Sequence, residues 1–398
     1  MKVLVLNAGS SSLKFRLFDS NNLDLIAAGL IERIGEKLGA AKLSKTDGSD
    51  VALSEIPIQN HQEAFALMVK LLADNDCLTK LNELSAIGHR VVHGGEEFWR
   101  PTLITQEVID TIKKLIPLAP LHNPVNLIGI EIALEQAPDV PQVAVFDTAF
   151  HQTLPKYAYL YALPYELYEN HKIRRYGFHG SSHSFVTKQA ARYLGISLDK
   201  INAISLHLGA GASASAIKSG KSVDTSLGMT PLEGLIMGTR SGDLDPAIPL
   251  FLSRELGMST DEIDTLLNKK SGLKGICGNN DMRSISENAV NGDEISQIAI
   301  EMFAYRAKKY IGAYLAALGH TDAIIFTGGI GENAANVRAK IITGLEQLGI
   351  VLDTVKNTMV DSGIRQIQDK SSKIKILIVP TNEELEIASQ TLELVEKL

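Results

Sequence analysis

The chain has 398 residues, 45% of them hydrophobic, and carries a formal net charge of −7. That length predicts about two domains with a substantial apolar core, and the acidic balance argues against a nucleic-acid binder, which would need a basic surface. The apolar run after Lys2 ends at Asn7, too early for a secretory signal, and no run approaches the roughly 18 residues of a membrane span, so we expect a cytoplasmic protein that binds no membrane.

The chain begins with a predicted hairpin. Residues 3–6 are apolar, residues 7–12 are mostly polar and include Gly9, and apolar residues alternate again over 15–18. Two such strands around a short glycine-containing segment are typical of a hairpin with a tight turn. Apolar residues at helical spacing then predict a helix over 61–75.

The next predicted elements alternate between strands and helices. Residues 84–95 predict a strand that runs into a glycine turn, and residues 140–151 predict a short apolar strand that ends at Asp147. Between them, residues 105–124 predict a helix that Pro117 stops, followed by a proline-rich loop. This alternation is typical of α/β proteins.

The second half of the chain repeats the pattern of the first. Residues 202–224 again combine an apolar strand, a small glycine turn and an alternating strand, about two hundred residues downstream of the first hairpin. Residues 322–341 add a strand, a glycine turn and the start of a helix. Because solenoid repeats run over only roughly 20–50 residues, a repeat of this length predicts a duplicated domain.

The glycine turns are candidates for phosphate binding. Glycine lets the backbone approach a ligand closely, and successive backbone N–H groups form an anion-binding concavity. For either turn alone a plain hairpin is the better explanation, since glycine is common in turns, but two matched turns together with segment 326–334 favour phosphate binding. A P-loop is excluded at 219–222, because Ser215 occupies the position of the required first glycine. Gly220-Lys221 is therefore predicted to form a hairpin turn.

Charged residues stand at the ends of several predicted elements. Arg90 lies at a strand end, Arg240 lies in a polar loop, and Asp147 follows an apolar strand, where catalytic groups of α/β sheets usually lie. Glu383 begins the last predicted helix, where a carboxylate also simply favours the helix N-terminus. Together these residues suit phosphoryl transfer between two anions, which requires charge neutralisation and in-line positioning. Arginine pairs with carboxylate and phosphate at two points, and one or two carboxylates suffice to hold Mg²⁺.

Two pairs of histidines raise the alternative of a zinc site. His89 and His93 are four residues apart, as are His179 and His183. No carboxylate accompanies either pair as in the zinc protease motif, and the neighbouring glycines argue against a shared helix face. We therefore expect no zinc site, and any single histidine is more often structural than catalytic.

Several long motifs resemble one enzyme family, in order, from the first strand to the last helix. They are VLVLNAGSSSLKF, GHRVVHGGEEF, PLHNP, VFDTAFH, RRYGFHGSSH, GKSVDTSLGMTPLEGLIMGTRSGDLDP, FTGGIGENA and PTNEE. On these residues the chain is similar to the acetate kinase family of short-chain acyl kinases, which belongs to the sugar kinase, Hsp70 and actin superfamily. The resemblance implies an α/β fold of duplicated actin-like, ribonuclease H-like domains with an active-site cleft between them. Their expected bounds are 1–150, rejoined by the C-terminal helix 384–398, and 151–383.

The resemblance also implies the ligands and the residues that hold them. The family forms homodimers and uses ATP with Mg²⁺, for which Mn²⁺ can substitute. Asn7 and Glu383 would organise the metal ion, and Lys14 would contact a nucleotide phosphate. The residues implied for the nucleotide phosphates are His207, Leu208, Gly209, Ala210 and Gly211, and those implied for the adenosine end are Asp281, Met282, Arg283, Gly329, Ile330, Gly331, Glu332 and Asn333.

The same resemblance implies the catalytic and acyl-binding residues. Arg90 and Arg240 would bind the carboxylate and the transferring phosphoryl group, and Asp147 would position the acyl substrate and the metal. His179 would stabilise the transition state, with His122 nearby. The side chains implied to line the pocket for the acyl methyl group are Val92, Leu121, Phe178 and Pro231.

One residue departs from the family pattern, and two other functions stay open. The family's phosphate turn commonly reads His-Leu-Gly-Asn-Gly, whereas Ala210 stands here in the asparagine position, so we expect a weaker grip on the nucleotide or slower turnover. The implied reaction is the reversible phosphorylation of acetate by ATP. A propionate or butyrate kinase would use the same residues, since one methylene is worth only about 1–3 kcal/mol of discrimination. An actin-like or chaperone-like ATPase is the alternative from another class.

Overall fold

The structure is a computed structural model that describes the whole chain, Met1–Leu398. The strands are β1 (Lys2–Gly9), β2 (Ser12–Asp19), β3 (Leu25–Glu32), β4 (Gly39–Lys45), β5 (Asp50–Ile56), β6 (Leu84–Val91), β7 (Thr102–Leu103), β8 (Gln142–Phe146), β9 (Ala203–Leu208), β10 (Ala212–Lys218), β11 (Lys221–Thr225), β12 (Ala323–Thr327), β13 (Arg365–Gln366) and β14 (Lys375–Ile378). The helices are α1 (His61–Asp74), α2 (Gln106–Lys114), α3 (Asn123–Gln136), α4 (Lys156–Tyr159), α5 (Tyr165–His171), α6 (Gly180–Leu194), α7 (Ala247–Leu256), α8 (Thr260–Lys269), α9 (Gly272–Cys277), α10 (Met282–Val290), α11 (Glu294–Leu318), α12 (Gly328–Asn333), α13 (Ala335–Ile342), α14 (Thr354–Thr358) and α15 (Glu383–Val395).

The residues group into two compact units by the proximity of their Cα atoms. Unit 1 contains Met1–Phe150 and Asn382–Leu398, and unit 2 contains His151–Thr381. The boundaries 1–150 and 151–383 stay a prediction of the domain organisation. No helix combines the length and the apolar composition that a membrane span requires.

The sheets of the two units share a strand pattern. Unit 1 has an eight-stranded mixed sheet in the order β5-β4-β3-β2-β1-β6-β8-β7, and unit 2 has a six-stranded mixed sheet in the order β11-β10-β9-β12-β14-β13. In each, three antiparallel strands join two further parallel strands: β3-β2-β1 with β6 and β8, and β11-β10-β9 with β12 and β14. The predicted α/β class is confirmed, and the repeated strand order agrees with the repeat seen in the sequence.

Alternate residues of the first strands pack into two different cores. Leu4 and Leu6 pack with α1 and α3, whereas Val3 and Val5 pack with Ile387 on α15. This division follows from the two-residue period of a strand, which sends successive side chains to opposite faces. The last helix therefore covers one face of the unit 1 sheet, although it is far away in the sequence.

The close approach of α15 to the sheet depends on a glycine in β6. A Cβ atom at Gly88 would lie 2.5 Å from the Thr391 Oγ1 atom and 2.9 Å from a methyl carbon of Ile387. These separations are too short for any side chain, so glycine is required where the helix crosses the strand. The helix start is thereby held near the carboxyl ends of the parallel strands.

Both predicted hairpins are present. Strands β1 and β2 pair with Gly9 opposite Ser12, which leaves a two-residue turn between them. The turn between β10 and β11 uses Ser219 and Gly220, both with positive φ, and Lys221 already begins the next strand. The hairpin turn predicted at Gly220-Lys221, in preference to a P-loop, is therefore correct to within one residue.

The region around residues 105–136 differs from the sequence prediction. Helix α2 ends at Lys114, before Pro117, as expected, but the predicted proline-rich loop is short and leads directly into α3. Pro124 is the second residue of α3, where its missing N–H would have no helical partner in any case. The prediction read this proline as a breaker, whereas the structure uses it in the first turn of a helix.

Candidate active site

In unit 1, strand register brings three predicted residues to one edge of the sheet. Val5 pairs with Gly88, and Arg90 pairs with Val145, all on the face covered by α15. Asn7 lies two residues beyond Val5, so it shares this face. Asp147 likewise lies two residues beyond Val145. Asn7, Arg90 and Asp147 therefore lie on adjacent parallel strands, on one face, at their carboxyl ends.

Arg90 is the centre of an ion network at this edge. Its Nε and Nη2 atoms donate to the two carboxylate oxygens of Asp147, at 3.0 and 2.6 Å. Its Nε atom also lies 3.9 Å from the Glu383 carboxylate. The Asp147 side chain is only 1% exposed, whereas Arg90 and Glu383 keep about a fifth of their surface open. A two-point pair of this kind orients the guanidinium strongly.

The network shifts the ionisation of two of its members. Burial raises the pKa of Glu383, and the nearby positive charge of Arg90 opposes that shift. Burial disfavours the charged form of Arg90, but the carboxylates of Asp147 and Glu383 outweigh it and raise the pKa of Arg90 above its ordinary value. The guanidinium is therefore held as a permanent cation between two carboxyl groups.

Residues of β2 complete this edge. Lys14 is paired with Asn7 across the hairpin, so it lies on the same face. Two residues on, Arg16 donates to the Asn382 side chain at 2.8 Å and lies 3.6 Å from Glu384. Asn382 caps α15, so Arg16 helps to hold the helix start at the sheet edge. Arg16 was missed in the sequence, although its two-residue spacing from Lys14 was a usable signal.

The first turn of α3 holds the loop that follows β6. The Val92 N–H donates to Asn126 at 3.0 Å, and the His93 N–H donates to Asn123 at 3.1 Å. His122 is the residue before α3, and Leu121, half exposed, precedes it. Three of the predicted acyl-site residues in unit 1, Val92, Leu121 and His122, are therefore tied to the end of β6 through asparagine side chains that sequence analysis did not single out.

In unit 2, His179 lies in a cluster of histidines and serines. It precedes α6 with a left-handed φ of 58°, and its ring stacks on His207 at 4.4 Å between centroids. Its Nδ1 atom is 2.9 Å from the Ser213 Oγ atom, and the Nε2 atom of His183 is 2.8 Å from the same oxygen. His179 precedes α6 and His183 lies in its first turn, so both rings contact Ser213 although only His183 is within the helix. Ser182 Oγ contacts His207 Nδ1 at 2.7 Å.

Arg240 approaches the same cluster from a loop. A Cβ atom at Gly211 would lie 2.9 Å from the Arg240 Nη2 atom and 3.3 Å from the Nε2 atom of His179, so the bare glycine separates these two groups. Arg240 Nη1 donates to the Pro231 carbonyl at 2.5 Å, and no carboxylate lies within salt-bridge distance. Burial lowers the pKa of Arg240. An arginine with this environment can pair with an anion from outside the chain.

Two ion pairs fasten the loop that carries Arg240 and Pro231. Arg175 pairs with Glu233 at 2.6 Å and donates to the carbonyl of Thr225. Arg306 donates to the Gly234 carbonyl at 2.8 Å and lies 3.6 Å from Asp243. These contacts hold both ends of the loop, so the position of the Arg240 side chain depends on residues that are distant in the sequence.

A cavity of about 930 Å³ in unit 2 collects most of the residues implied for the adenosine end. Its lining includes the predicted Gly209, Ala210, Asp281, Met282, Arg283, Gly329, Ile330 and Asn333. It also includes residues that sequence analysis missed, namely Asn280, Ser286, Glu287, Ala334 and Asn336. Helical spacing could have found Ser286 and Glu287, which lie one turn beyond Met282 and Arg283 on α10.

Some residues implied for the nucleotide have structural contacts instead of facing this cavity. Glu332 accepts hydrogen bonds from the N–H groups of Gly328 and Thr381, at 2.9 and 3.1 Å. A Cβ atom at Gly331 would contact backbone carbon and oxygen atoms of Phe326 and Leu206. Leu208 and His207 are buried in β9. Nucleotide contacts of these four residues stay a prediction.

The sheet edge of unit 1 suits a hard cation. Asn7 and Glu383 offer oxygen atoms, and Asp147 keeps one lone pair on each oxygen after binding Arg90. Mg²⁺ typically takes one or two carboxylates and completes its shell with waters and substrate phosphates. No group of three or more histidine, cysteine, aspartate or glutamate side chains forms a complete cage. The donor set therefore fits an ion bound partly by the substrate.

Comparison with known proteins identifies relatives over the full length. The sequence profile of the Acetokinase family matches residues 2–389. The chain is 54% identical over 399 residues to an acetate kinase of Sulfurovum sp. strain NBC37-1, with all of both chains covered. Among solved structures, Porphyromonas gingivalis acetate kinase is 45% identical with a TM-score of 0.93, and the match covers 99% of each chain. A propionate kinase from Francisella tularensis is also 45% identical with a TM-score of 0.93, and the match covers 98% of this chain and 99% of that one.

Proposed function

The chain belongs to the Acetokinase family, and from that premise we propose that it catalyses the reversible transfer of the ATP γ-phosphoryl group to acetate. The products are acetyl phosphate and ADP. The observation that carries the proposal is Arg240, a half-buried cation whose hydrogen-bond partner is a backbone carbonyl and which has no carboxylate within salt-bridge distance. Such a group is stabilised when an anionic phosphoryl group binds to it.

The two anions need different partners. In unit 2, Arg240 and the His179 ring flank Gly211 and would neutralise the transferring phosphoryl group. In unit 1, Arg90 would bind the carboxylate of the acyl substrate, and Asp147 holds the Arg90 guanidinium in one orientation. Phosphoryl transfer has a largely dissociative transition state, so positioning and electrostatic stabilisation supply most of the catalysis. A covalent phosphoenzyme is not needed for this chemistry.

The nucleotide would occupy the unit 2 cavity. Its adenosine end would lie among Asp281, Arg283 and Asn333, and its phosphates would lie against the turn at Gly209. Close backbone approach is possible there because Gly209 and Gly329 carry no side chains. Lys14 would add a positive charge to the phosphates.

The proposal also includes a metal ion. Asn7 and Glu383 would hold Mg²⁺, with Mn²⁺ as a substitute, because their oxygens lie at the same sheet edge as Asp147. When bound, the ion would neutralise charge that develops on the phosphate oxygens. Glu383 is kept close to this edge by the cap at Asn382 and by Arg16.

Propionate is the second candidate substrate. The likeness to the Francisella tularensis propionate kinase equals that to the Porphyromonas gingivalis acetate kinase in identity and TM-score. One methylene changes discrimination by only about 1–3 kcal/mol. The acyl substrate is therefore a short-chain carboxylate, and we place acetate first because the curated relatives at 51–54% identity are acetate kinases.

An acyl phosphate assay tests the proposal directly. The purified chain is incubated with Mg-ATP and acetate, propionate or butyrate, and the acyl phosphate is trapped as hydroxamate. We expect the most product with acetate. More product with propionate or butyrate would move the substrate, and steady ATP hydrolysis without a carboxylate and without hydroxamate would contradict the proposal in favour of an ATPase.

We also infer that the protein is a cytoplasmic homodimer. The inference rests on the resemblance to short-chain acyl kinases and on the use of ATP as the phosphoryl donor. Light scattering of the full chain would give twice the mass of 43.1 kDa, and a monomer at working concentration would contradict it.

A further inference from the structure

Four side chains form a continuous row of hydrogen bonds that ends at His179. Ser205 Oγ lies 2.9 Å from His183 Nδ1, and His183 Nε2 lies 2.8 Å from Ser213 Oγ. Ser213 Oγ in turn lies 2.9 Å from His179 Nδ1. Ser205, His183 and Ser213 are completely buried. We call these four residues the serine–histidine row.

The protons available in the row decide which side chain of each hydrogen bond donates and which accepts, and this order of donation is the direction of the row. Burial, together with the nearby His151 and His207 rings, lowers the pKa of His183 well below its ordinary value, so this ring is neutral and carries one N–H. Each serine hydroxyl also has a single proton to donate. The row therefore runs one way or the other, and the two directions place the His179 proton on different nitrogens.

Ser205 favours one of the two directions. Its hydroxyl has His183 Nδ1 as its hydrogen-bond partner. If Ser205 accepted from His183, its own O–H would be left buried without an acceptor, a state that native structures avoid. If Ser205 donates instead, His183 donates from Nε2 to Ser213, and Ser213 donates to His179 Nδ1. The protons of the three completely buried members, Ser205, His183 and Ser213, then each have an acceptor within the row.

We propose that Ser205, His183 and Ser213 are positioning residues that hold His179 as the tautomer protonated on Nε2. The ring then donates a hydrogen bond from Nε2 while it is neutral. Nε2 is also the ring nitrogen that lies beside Gly211 and the Arg240 guanidinium. The row therefore places the N–H on the ring nitrogen that lies beside Gly211, where the Arg240 Nη2 atom also lies.

A second contact holds the backbone on which the ring is mounted. The Phe178 carbonyl can only accept, so His151 donates to it from Nε2 at 3.0 Å, and Ser222 lies 2.8 Å from the other His151 nitrogen. Phe178 directly precedes His179, whose φ of 58° is unusual for a residue other than glycine. Both the ring and its peptide are thus held by buried groups.

A neutral donor suits this position. A protonated His179 would place a second cation beside the half-buried Arg240, whose pKa burial already lowers, and such a pair of like charges is costly. The Nε2–H tautomer supplies a hydrogen bond to a phosphoryl oxygen without that second charge. This consequence rests on the proposed phosphoryl transfer, whereas the tautomer itself does not.

The tautomer can be measured without an activity assay. The full chain is labelled with ¹⁵N-histidine, and the His179 signals among the ten histidines are assigned by their loss in His179→Gln. At a pH where the ring is neutral, we expect Nε2 to be protonated in at least tenfold excess over Nδ1. Ser213→Ala and Ser205→Ala should each lower that excess by about tenfold, the effect of one hydrogen bond.

Two further variants separate tautomer control from packing. Ser213→Thr keeps a hydroxyl and should restore the Nε2–H excess. Ser226→Ala removes another buried hydroxyl, one that accepts from the Ala214 N–H on the same strand, and should leave the His179 tautomer unchanged. Ser205→Ala is the cleaner of the two serine variants, because Ser205 contacts His183 and not His179, so an effect on the His179 tautomer must pass through the row.

Kinetics give an independent readout. Ser205→Ala should lower kcat by about tenfold with an unchanged KM for ATP, a fraction of the roughly 10²–10³-fold cost of losing one donor to the transition state. A wild-type ring protonated on Nδ1, or an unchanged tautomer in both serine variants, would overturn the proposal. If the tautomer behaves as expected but no carboxylate yields an acyl phosphate, the row stands and the proposed function falls.

Discussion

The two clusters of charged and polar groups differ in how their charges are balanced. In unit 1, Arg90 is enclosed by the carboxylates of Asp147 and Glu383. In unit 2, Arg240 has a backbone carbonyl as its partner and stands beside a histidine held by a serine. The first cluster is an ion network, whereas in the second no carboxylate pairs with the arginine.

This difference indicates two kinds of preorganisation. An arginine already paired with a carboxylate is oriented before substrate binds, and its pair also contributes to folding. A half-buried arginine without a carboxylate adds little to the stability of the fold and can still pair with an incoming anion. We therefore expect an arginine with structural and binding roles in unit 1 and one with a binding role in unit 2.

Substitution of Arg240 should give the largest loss of activity for the smallest loss of stability. We expect Arg240→Ala to lower kcat/KM for acyl phosphate formation by at least about 10³-fold, as loss of a transition-state arginine typically does. Its free energy of unfolding should stay nearly unchanged, because the half-buried Arg240 side chain loses one hydrogen bond to a backbone carbonyl and no ion pair. Steady-state kinetics and urea unfolding measure both. Arg254→Ala, an exposed arginine of unit 2, serves as the control, and near-normal activity of Arg240→Ala would refute the assignment.

Substitution of Arg90 should affect both activity and stability. Arg90→Ala leaves the buried Asp147 carboxylate without its partner, so we expect a loss of about 3 kcal/mol in the free energy of unfolding along with a loss of activity by orders of magnitude. The double variant Arg90→Ala/Asp147→Asn should recover most of the stability but none of the activity. Equal stability of the two variants would show that the pair does not contribute to folding.

Acid titration extends the comparison to buried imidazoles. Burial lowers the pKa of His89 to about 4, although its hydrogen bond to Gln142 opposes the shift. Between the ordinary value of about 6.5 and pH 4, the unfolded chain binds a proton that the folded chain does not. This part of the stability is therefore present above pH 6.5 and is lost as the pH falls.

We expect the wild type to lose about 3 kcal/mol from this residue between pH 7 and pH 4. His89→Gln should lack that share of the loss, whereas the exposed His171→Gln should behave as wild type. Urea unfolding at pH 7, 5.5 and 4 measures the slopes, and parallel slopes for wild type and His89→Gln would contradict the shift.

The smallest predicted effect concerns the phosphate turn. Ala210 is exposed and lines the unit 2 cavity, and its carbonyl accepts the Gly238 N–H at 3.0 Å. Asparagine at this position would add a side-chain amide without disturbing that bond. We expect Ala210→Asn to lower the KM for ATP or raise kcat by about three- to tenfold, the value of one hydrogen bond. Ala210→Ser is a useful intermediate, and an unchanged KM and kcat in Ala210→Asn would show that the turn binds through its backbone alone.

Much of the candidate site could be predicted from local patterns. The turn after β1, the polar end of β8 at Asp147 and the turn after β9 are each marked by an apolar run that stops at small or polar residues. Helix α3 was missed because Pro124 has opposite meanings inside a helix and in its first turn. The distinction depends on the capping geometry, which a proline alone does not reveal.

The positioning residues were harder to find. Ser213 lies in a strand of alternating alanine and serine, and such small residues carry no motif of their own. Their alternation was nevertheless a signal, because it predicts a polar stripe on one face of a buried strand. Asn126, Arg175 and Arg306 act over separations of 34 to 72 residues, which no local pattern encodes.

By itself the sequence determined which residue types are available, where the strands and glycine turns occur, and to which family the chain belongs. The tertiary structure decided that Asn7, Arg90 and Asp147 share one face, because strand register alone sets which residues of β1, β6 and β8 are neighbours. It also decided the direction of the serine–histidine row, because burial of Ser205 and His183 removes the water that would otherwise accept their protons. Local chemistry follows from the order of residues, whereas the distances and protonation states needed for catalysis follow from which distant residues pack together.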